Sequence, residues 1–328
     1  MSLRIIKHGL LDTLQDSGRY GFQHLGINPG GVMDKLAMRV ANALVGNETN
    51  EAVIEMHFPA AEMMFEETIL IALSGADFSA SIQDELVPMF QPIMIQKGSL
   101  LSFKKKRKGA RVYLSVQGGF VCNEWLNSKS TNLKVKSGGH RGRAFLKNDQ
   151  ILFKQEPLYS FQNTLHPFEI LPWKAKITEA KTKNRFRFLP GSEYIQLQRD
   201  SMHLIENGIF SICRENDRMG YRLVGEKLLM NSNQEMISSA VTLGTLQLLP
   251  NGQLIILMAD HQTTGGYPRI GHIISADISS LAQVQTGEML SFEKVTILQA
   301  ENALLDQEMN LLQIKNACNF RLDEYLSD

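Results

Sequence analysis

Residues 217–225 read DRMGYRLVG. Asp217, Arg218, Tyr221 and Arg222 stand there among two glycines, a stretch too polar for a core strand and too rich in glycine for a helix. A guanidinium fork takes a carboxylate or a carbonate-like anion through two parallel hydrogen bonds. Glycine lets backbone come close to a ligand. The other use of such an arginine is to tie down its own turn. Arg19 sits in a similar stretch, QDSGRYGFQHLG. A third cluster, MADHQTTGGYPRIG, follows the apolar run LIILMAD and sets Asp260, His261, Gln262, Thr263 and Thr264 ahead of Gly265, Gly266 and Tyr267. Polar groups on a glycine-hinged loop at a strand end suit a site better than a core, although the glycines alone would make a tight turn that the threonines cap. A fourth, SKSTNLKVKSGGHRGR, mixes hydroxyls with Lys136, Arg141 and Arg143. It suits an anion site or a long polar loop.

The elements that must carry these clusters read as mostly β. RIIKHGLL, TILIALSG, PIMIQKGSLLSF, RVYLSVQGG, QILFK, TLQLLP and QLIILMAD are short apolar or alternating runs between turn residues, as in a barrel or sandwich protein. The basic run KKKRKGAR after LLSF reads as a hairpin end. Two segments read as helix. MDKLAMRVANALVGN puts Leu36, Val40 and Leu44 on one face, with Asp34 in the first turn and Gly46 as the stop. ENALLDQEMNLLQIKN puts Leu305, Met309 and Leu312 on one stripe. Residues 155–185 are taken as the connection between halves.

Two echoes suggest a tandem duplication. QKGSLLSF, from Gln96, returns as QTGEMLSF, from Gln285, with five of eight positions identical. Shifted back by 199, Gly208, Arg218, Gly220, Tyr221 and Gly225 fall on Gly9, Arg19, Gly21, Phe22 and Gly26. The expectation is two related β domains, residues 1–160 and 161–328, with the Arg19 and Arg218 loops in corresponding places.

Composition excludes several classes. Lys plus Arg and Asp plus Glu number 34 each, so no basic footprint marks a nucleic-acid binder. Cys122, Cys213 and Cys318 are far apart and form no CxxC pair, which argues against a disulfide framework or structural zinc. No metal motif is present, and His24 and His57 read as structural. No signal-like opening and no apolar stretch of membrane-spanning length is seen, so the expected compartment is the cytoplasm. No G-x-x-x-x-G-K-[ST], no G-x-G-x-x-G after a strand and no G-x-S-x-G occurs, so a Walker-type ATP site and a nucleophile elbow are not expected in this chain.

The blocks GLLDTLQDSGRYGFQHLGINPGGVMDKLAMRVANALVGN, SKSTNL, GGHRGR, DRMGYRLVG and ADHQTTGGYPRIGHIISAD resemble, in fixed order, those of the biotin-dependent carboxyltransferase-like family. That family includes subunits of 5-oxoprolinase, the sporulation protein KipA and the carboxyltransferase domain of urea carboxylase; it is also called allophanate hydrolase subunit 2. The resemblance covers about residues 4–300. It implies two tandem cyclophilin-like β-barrel domains with a few helices. It implies a KipI-like B subunit as partner and, in 5-oxoprolinase, a LamB/YcsF-like A subunit. The complex would open 5-oxoproline to L-glutamate with ATP, and this chain would not be active alone. In that reading Arg19 and Arg218 hold the substrate carboxylate or an activated amide oxygen. Arg222, Thr264, Tyr267 and Arg143 complete the substrate contacts. Asp34, Asp217 or Asp260 positions water or takes a proton, unranked. The alternatives are a KipA-like protein that sequesters a kinase inhibitor, or a carboxyltransferase-type component. The latter would need a separate biotin carrier, because the MKM lysine motif is absent and no biotin is expected on this chain. Asn127 stands where the family has glycine, and Lys129 where it has arginine, which weakens any anion role there.

Overall fold

A computed structural model describes residues 1–154, 166–177, 184–232 and 236–327. The connection expected at 155–185 lies largely outside the described residues. By contacts the chain divides into two compact units. One comprises Met1–Arg19, Asp34–Thr178 and Met309–Asp328; the other comprises Tyr20–Met33 and Glu179–Glu308.

The first unit holds β1 (Ser2–Lys7), β2 (Asp12–Gln15), α1 (Lys35–Leu44), β3 (Val53–His57), β4 (Glu62–Phe65), β5 (Ile69–Asp77), β6 (Ala80–Ile82), β7 (Glu85–Leu86), β8 (Pro92–Ile95), β9 (Leu100–Phe103), β10 (Lys108–Val116), β11 (Gln150–Leu152) and β12 (Phe168–Ile170). They form two six-stranded sheets, β11-β1-β4-β9-β6-β7 and β12-β8-β5-β10-β3-β2. The reason lies in side-chain alternation. On β5, Ile69, Ile71 and Leu73 enter a core shared with Leu3, Met63 and Leu101 of the other sheet. Leu70 and Ala72 point the other way, against Val40 and Leu44 of α1. A strand buried on both faces reads as a continuous apolar run. The basic run after Phe103 joins β9 to β10, which belong to different sheets, so it crosses between sheets rather than closing a hairpin. α1 begins where expected: Asp34 Oδ1 accepts from the Ala37 N–H at 2.8 Å.

The second unit holds β13 (Arg185–Pro190), α2 (Arg199–Asn207), β14 (Phe210–Ile212), β15 (Gly220–Val224), β16 (Ser239–Ala240), β17 (Thr245–Leu248), β18 (Leu254–Leu257), β19 (Thr264–Gly265), β20 (Arg269–Ile273), α3 (Ser275–Ala282) and β21 (Met289–Lys294). Seven of them close a barrel, β13-β20-β17-β18-β15-β14-β21, sealed by the parallel pair β13–β21. Phe188, Phe210, Tyr221, Leu246, Ile256 and Phe292 fill it. The fold is thus mainly β, with one closed barrel and, in the first unit, two facing sheets.

The final helix, α4 (Ile297–Ser327), buries a different stripe from the one singled out in its sequence. Leu305, Met309 and Leu312 are 59%, 56% and 58% exposed, whereas Leu311, Cys318 and Leu322 are buried with Leu44 and Val40. Both stripes recur at helical spacing, so periodicity could not choose between them. One sequence expectation needs correction: the duplication reading fails at the arginine loops. The Gln96 and Gln285 echoes are the same turn: Gly98 and Gly287 have φ of 83° and 81°, and their N–H groups donate to Phe65 O and Ile212 O. On that correspondence the end of β4 matches the end of β14. The Arg218 loop, which leaves β14, then matches residues 66–68 and not the loop carrying Arg19.

Candidate functional site

In the second unit the β15–β18 ladder runs on past its strands. Gly220 pairs with Leu257, and beyond them Met258 N–H donates to Met219 O and Asp260 N–H to Arg218 O. The main chain therefore sets Arg218 and Asp260 side by side, and the side chains follow. Arg218 Nε lies 2.8 Å from Asp260 Oδ2 and Nη2 3.1 Å from Oδ1. Nη2 also donates to Gly31 O at 2.5 Å. The arginine side chain is 8% exposed and the aspartate 28%, so one charge is held inside and its partner faces outward.

The loop after Asp260 is fastened at its far end. β19 pairs with β16, Thr264 opposite Ala240, and Val241 N–H donates to Thr263 O. Thr264 and Tyr267 are exposed there. A Cβ on Gly265 would lie 2.6 Å from Gln247 Nε2, so the end of that side chain would have to shift to admit one. The strand past Thr242 brings in His272, which is not among the sequence candidates. Thr245 stands opposite His272 across β17–β20, and the Oγ1 atoms of Thr242 and Thr245 each lie 3.5 Å from His272 Nδ1. Burial holds the His261 and His272 imidazoles below the usual histidine range, with the His261 charge adding to the effect at His272. Both are neutral near pH 7, able to accept a proton. The placing of His272 opposite Thr245 depends on strand register, which no local motif announces.

Asp217 and Arg222 take other places. Asp217 is exposed, and its Oδ1 accepts from the Met219 and Gly220 N–H groups, closing its own turn. Arg222 lies on the outward side of β15.

The remaining candidates belong to the first unit. Arg19 is 1% exposed, donates from Nη2 to Ser130 O at 2.5 Å and lies 4.8 Å from the centre of the Trp125 ring. Its loop is knitted to the SKST segment by Asp16, which accepts from the Ser128 and Ser130 hydroxyls and from the Lys129 N–H. Lys129 and Lys154 share Glu51, at 3.0 and 2.6 Å. Burial pushes the Glu51 carboxyl up, but the two lysines outweigh it and hold it below the usual range. Asp34 caps α1, and its own N–H donates to the Tyr113 hydroxyl, which in turn donates to Glu55 at 2.9 Å. Arg143 is paired bidentately with Asp149, at 2.6 and 2.8 Å. A pocket of about 460 Å³ opens beside Glu51, lined also by Asn47, Gln117 and Leu322; none of the sequence candidates lines it.

The family described as carboxyltransferase domain, subdomain A and B, matches residues 25–294. The chain is 35% identical over 303 residues to the C subunit of 5-oxoprolinase from Haemophilus influenzae, covering 92% of this chain and 94% of that protein. Against the C subunit of 5-oxoprolinase from Escherichia coli it is 35% identical over 312 residues, covering 95% and 97%. Its fold matches the crystal structure of the K. lactis urea amidolyase with a TM-score of 0.87 at 23% identity, over 95% of this chain but only 20% of that much longer one.

Proposed function

The chain belongs to the family of the carboxyltransferase domain, subdomains A and B, and from that premise we propose that it is the C subunit of a multi-subunit 5-oxoprolinase, opening 5-oxoproline to L-glutamate with ATP in a complex. One observation carries the reading: 35% identity over nearly the full length of both proteins to two 5-oxoprolinase C subunits. The partners are a KipI-like B subunit and a LamB/YcsF-like A subunit.

Within this chain the Arg218 loop is the substrate side of the site. Arg218 presents a cation fixed in place by Gly31 O and Asp260, which suits the carboxylate of a small cyclic amide. Of the three aspartates Asp260 is the one assigned to position water or take a proton, because Asp34 is spent on a helix cap and Asp217 on its own turn. Thr264 and Tyr267 offer hydroxyls on the same loop. Beside Arg218, the cations Arg187 and Arg269 are bound by Asp277 and Glu193 at 2.6 and 3.0 Å. The ATP site is assigned to the partner subunits, and no biotin is expected on this chain, which lacks the MKM lysine motif.

The test is 5-oxoproline-dependent ATP hydrolysis and glutamate release with partner subunits added and omitted. Activity is expected only with all subunits present. Robust glutamate release by this chain alone, or none by the full set, overturns the reading.

A further inference from the structure

We infer that the exposed face of α4 is a self-association surface, covered by a second copy of this chain running antiparallel. Leu298, Leu305, Met309, Leu312 and Phe320 are 66%, 59%, 56%, 58% and 66% exposed. At the angular step of an α-helix these five fall within about 80° of one another. The opposite side, with Leu311, Cys318 and Leu322, is already buried. The exposed Asn302 and Asn316 interrupt the stripe, but five large apolar side chains on one helix face mark an interaction face rather than scattered surface residues.

Charge decides the occupant and its direction. Leu298, Leu305 and Leu312 recur every seven residues, as do Asn302, Met309 and Asn316 beside them and Glu301, Glu308 and Lys315 on one flank. These are the d, a and g positions of a coiled-coil seam. Paired in parallel, Glu301 would face the partner's Asp306, a repulsion. Paired antiparallel, Leu305 seats against the partner's Met309, and Glu301 meets the partner's Lys315 once on each side of the two-fold axis. The same patch therefore complements itself. Among the described residues Lys315 is paired with Glu48, at 3.3 Å, whose side chain is 87% exposed. Three features keep the association weak: the asparagines in the seam, and Glu308 and Asp306, each of which meets its own copy at the axis.

Sedimentation equilibrium of the full chain tests this, over roughly 1–200 µM, the range where a short seam would act. A concentration-dependent dimer is expected, weakened at least about tenfold by Leu305→Glu. Glu301→Lys and Lys315→Glu should each weaken it, the double exchange should restore it, and Glu308→Gln should tighten it. Leu305 and Glu301 are exposed and Glu308 and Lys315 half-buried, so circular dichroism is recorded on each variant and is expected to stay that of the parent. A monomer throughout the range, a dimer indifferent to Leu305→Glu, or a double exchange that fails to restore it overturns the inference. So does a monomeric parent whose binding to another protein of the complex is lost in Leu305→Glu, since the face would then belong to that protein.

Discussion

Removing the Arg218 guanidinium should cost the second unit stability and the complex its activity, and the two losses can be separated. Arg218→Ala breaks two hydrogen bonds to Asp260, at 2.8 and 3.1 Å, and one to Gly31 O at 2.5 Å. Truncating one partner of a fully buried ion pair costs about 3–5 kcal/mol, largely because the other charge is stranded. Here the stranded group is Asp260, 28% exposed, and water can reach it. The expected cost is therefore lower, about 2–3 kcal/mol. For a unit of this size that lowers Tm by roughly 5–10 °C. Calorimetry measures it, beside Arg218→Lys, which keeps the charge but not the fork and should recover only part of the loss. Activity of the reconstituted complex is then read at a temperature where the variant remains folded. Loss of one charged contact to substrate should lower kcat/KM by about 30-fold or more. A Tm within about 1 °C of the parent would refute the energetic argument. Unchanged kcat/KM per folded molecule would mean that the arginine only clamps its loop.

Three other outcomes follow from single contacts. Asp34→Ala removes the N-cap of α1 and should cost about 1 kcal/mol, with Asp34→Asn close to the parent, as thermal unfolding will show. Gly138→Ala should be far more damaging, with loss of soluble protein or a Tm fall beyond that of Asp34→Ala. Its φ is +73°, and a Cβ there would lie 2.2 Å from Ser130 O, the carbonyl that Arg19 holds. Burial lifts the Asp12 carboxyl from 3.8 to about 7. A raised folded value means that its contribution is fully present below the unfolded value and is lost as pH rises through about 7. Asp12→Asn should thus gain Tm over the parent between pH 4 and 8, and a gap that stays flat or closes as pH rises would contradict the assignment.

Where sequence signals are local the fold was legible, and where partners are distant it was not. Short apolar or alternating runs between turn residues marked β5, β10, β17 and β18, and the Asp34 to Gly46 punctuation marked α1, because each signal lies within the element. The Gln96 and Gln285 turns were legible for the same reason: a glycine at positive φ is needed in both. The closure of one barrel and the opening of the other unit into two sheets were not, since they depend on which face of β5 each neighbour covers. The candidate site divides the same way. Arg218, Asp260, Thr264 and Tyr267 stand out by type and spacing, but Gly31, 187 residues from Arg218, and His272 opposite Thr245 carry no local mark.

The two arginine loops share a device although they do not share a place in the sheets. Each buries a guanidinium and donates its Nη2 to a main-chain carbonyl far away in sequence, Ser130 O for Arg19 and Gly31 O for Arg218. Clamp and ligand group need not be opposed uses of such a residue. A cation already desolvated and aimed by the protein does not reorganise when an anion arrives, which is the condition under which electrostatic binding is strongest. What distinguishes the loops is the counter-charge. Asp16, near Arg19, is spent on the Ser128 and Ser130 hydroxyls inside the fold, whereas Asp260, on Arg218, faces outward with 28% of its side chain exposed. A substrate carboxylate can displace an outward-facing aspartate from its arginine and leave that aspartate beside the amide. On that ground the proposed substrate role falls to the Arg218 loop rather than to the Arg19 loop.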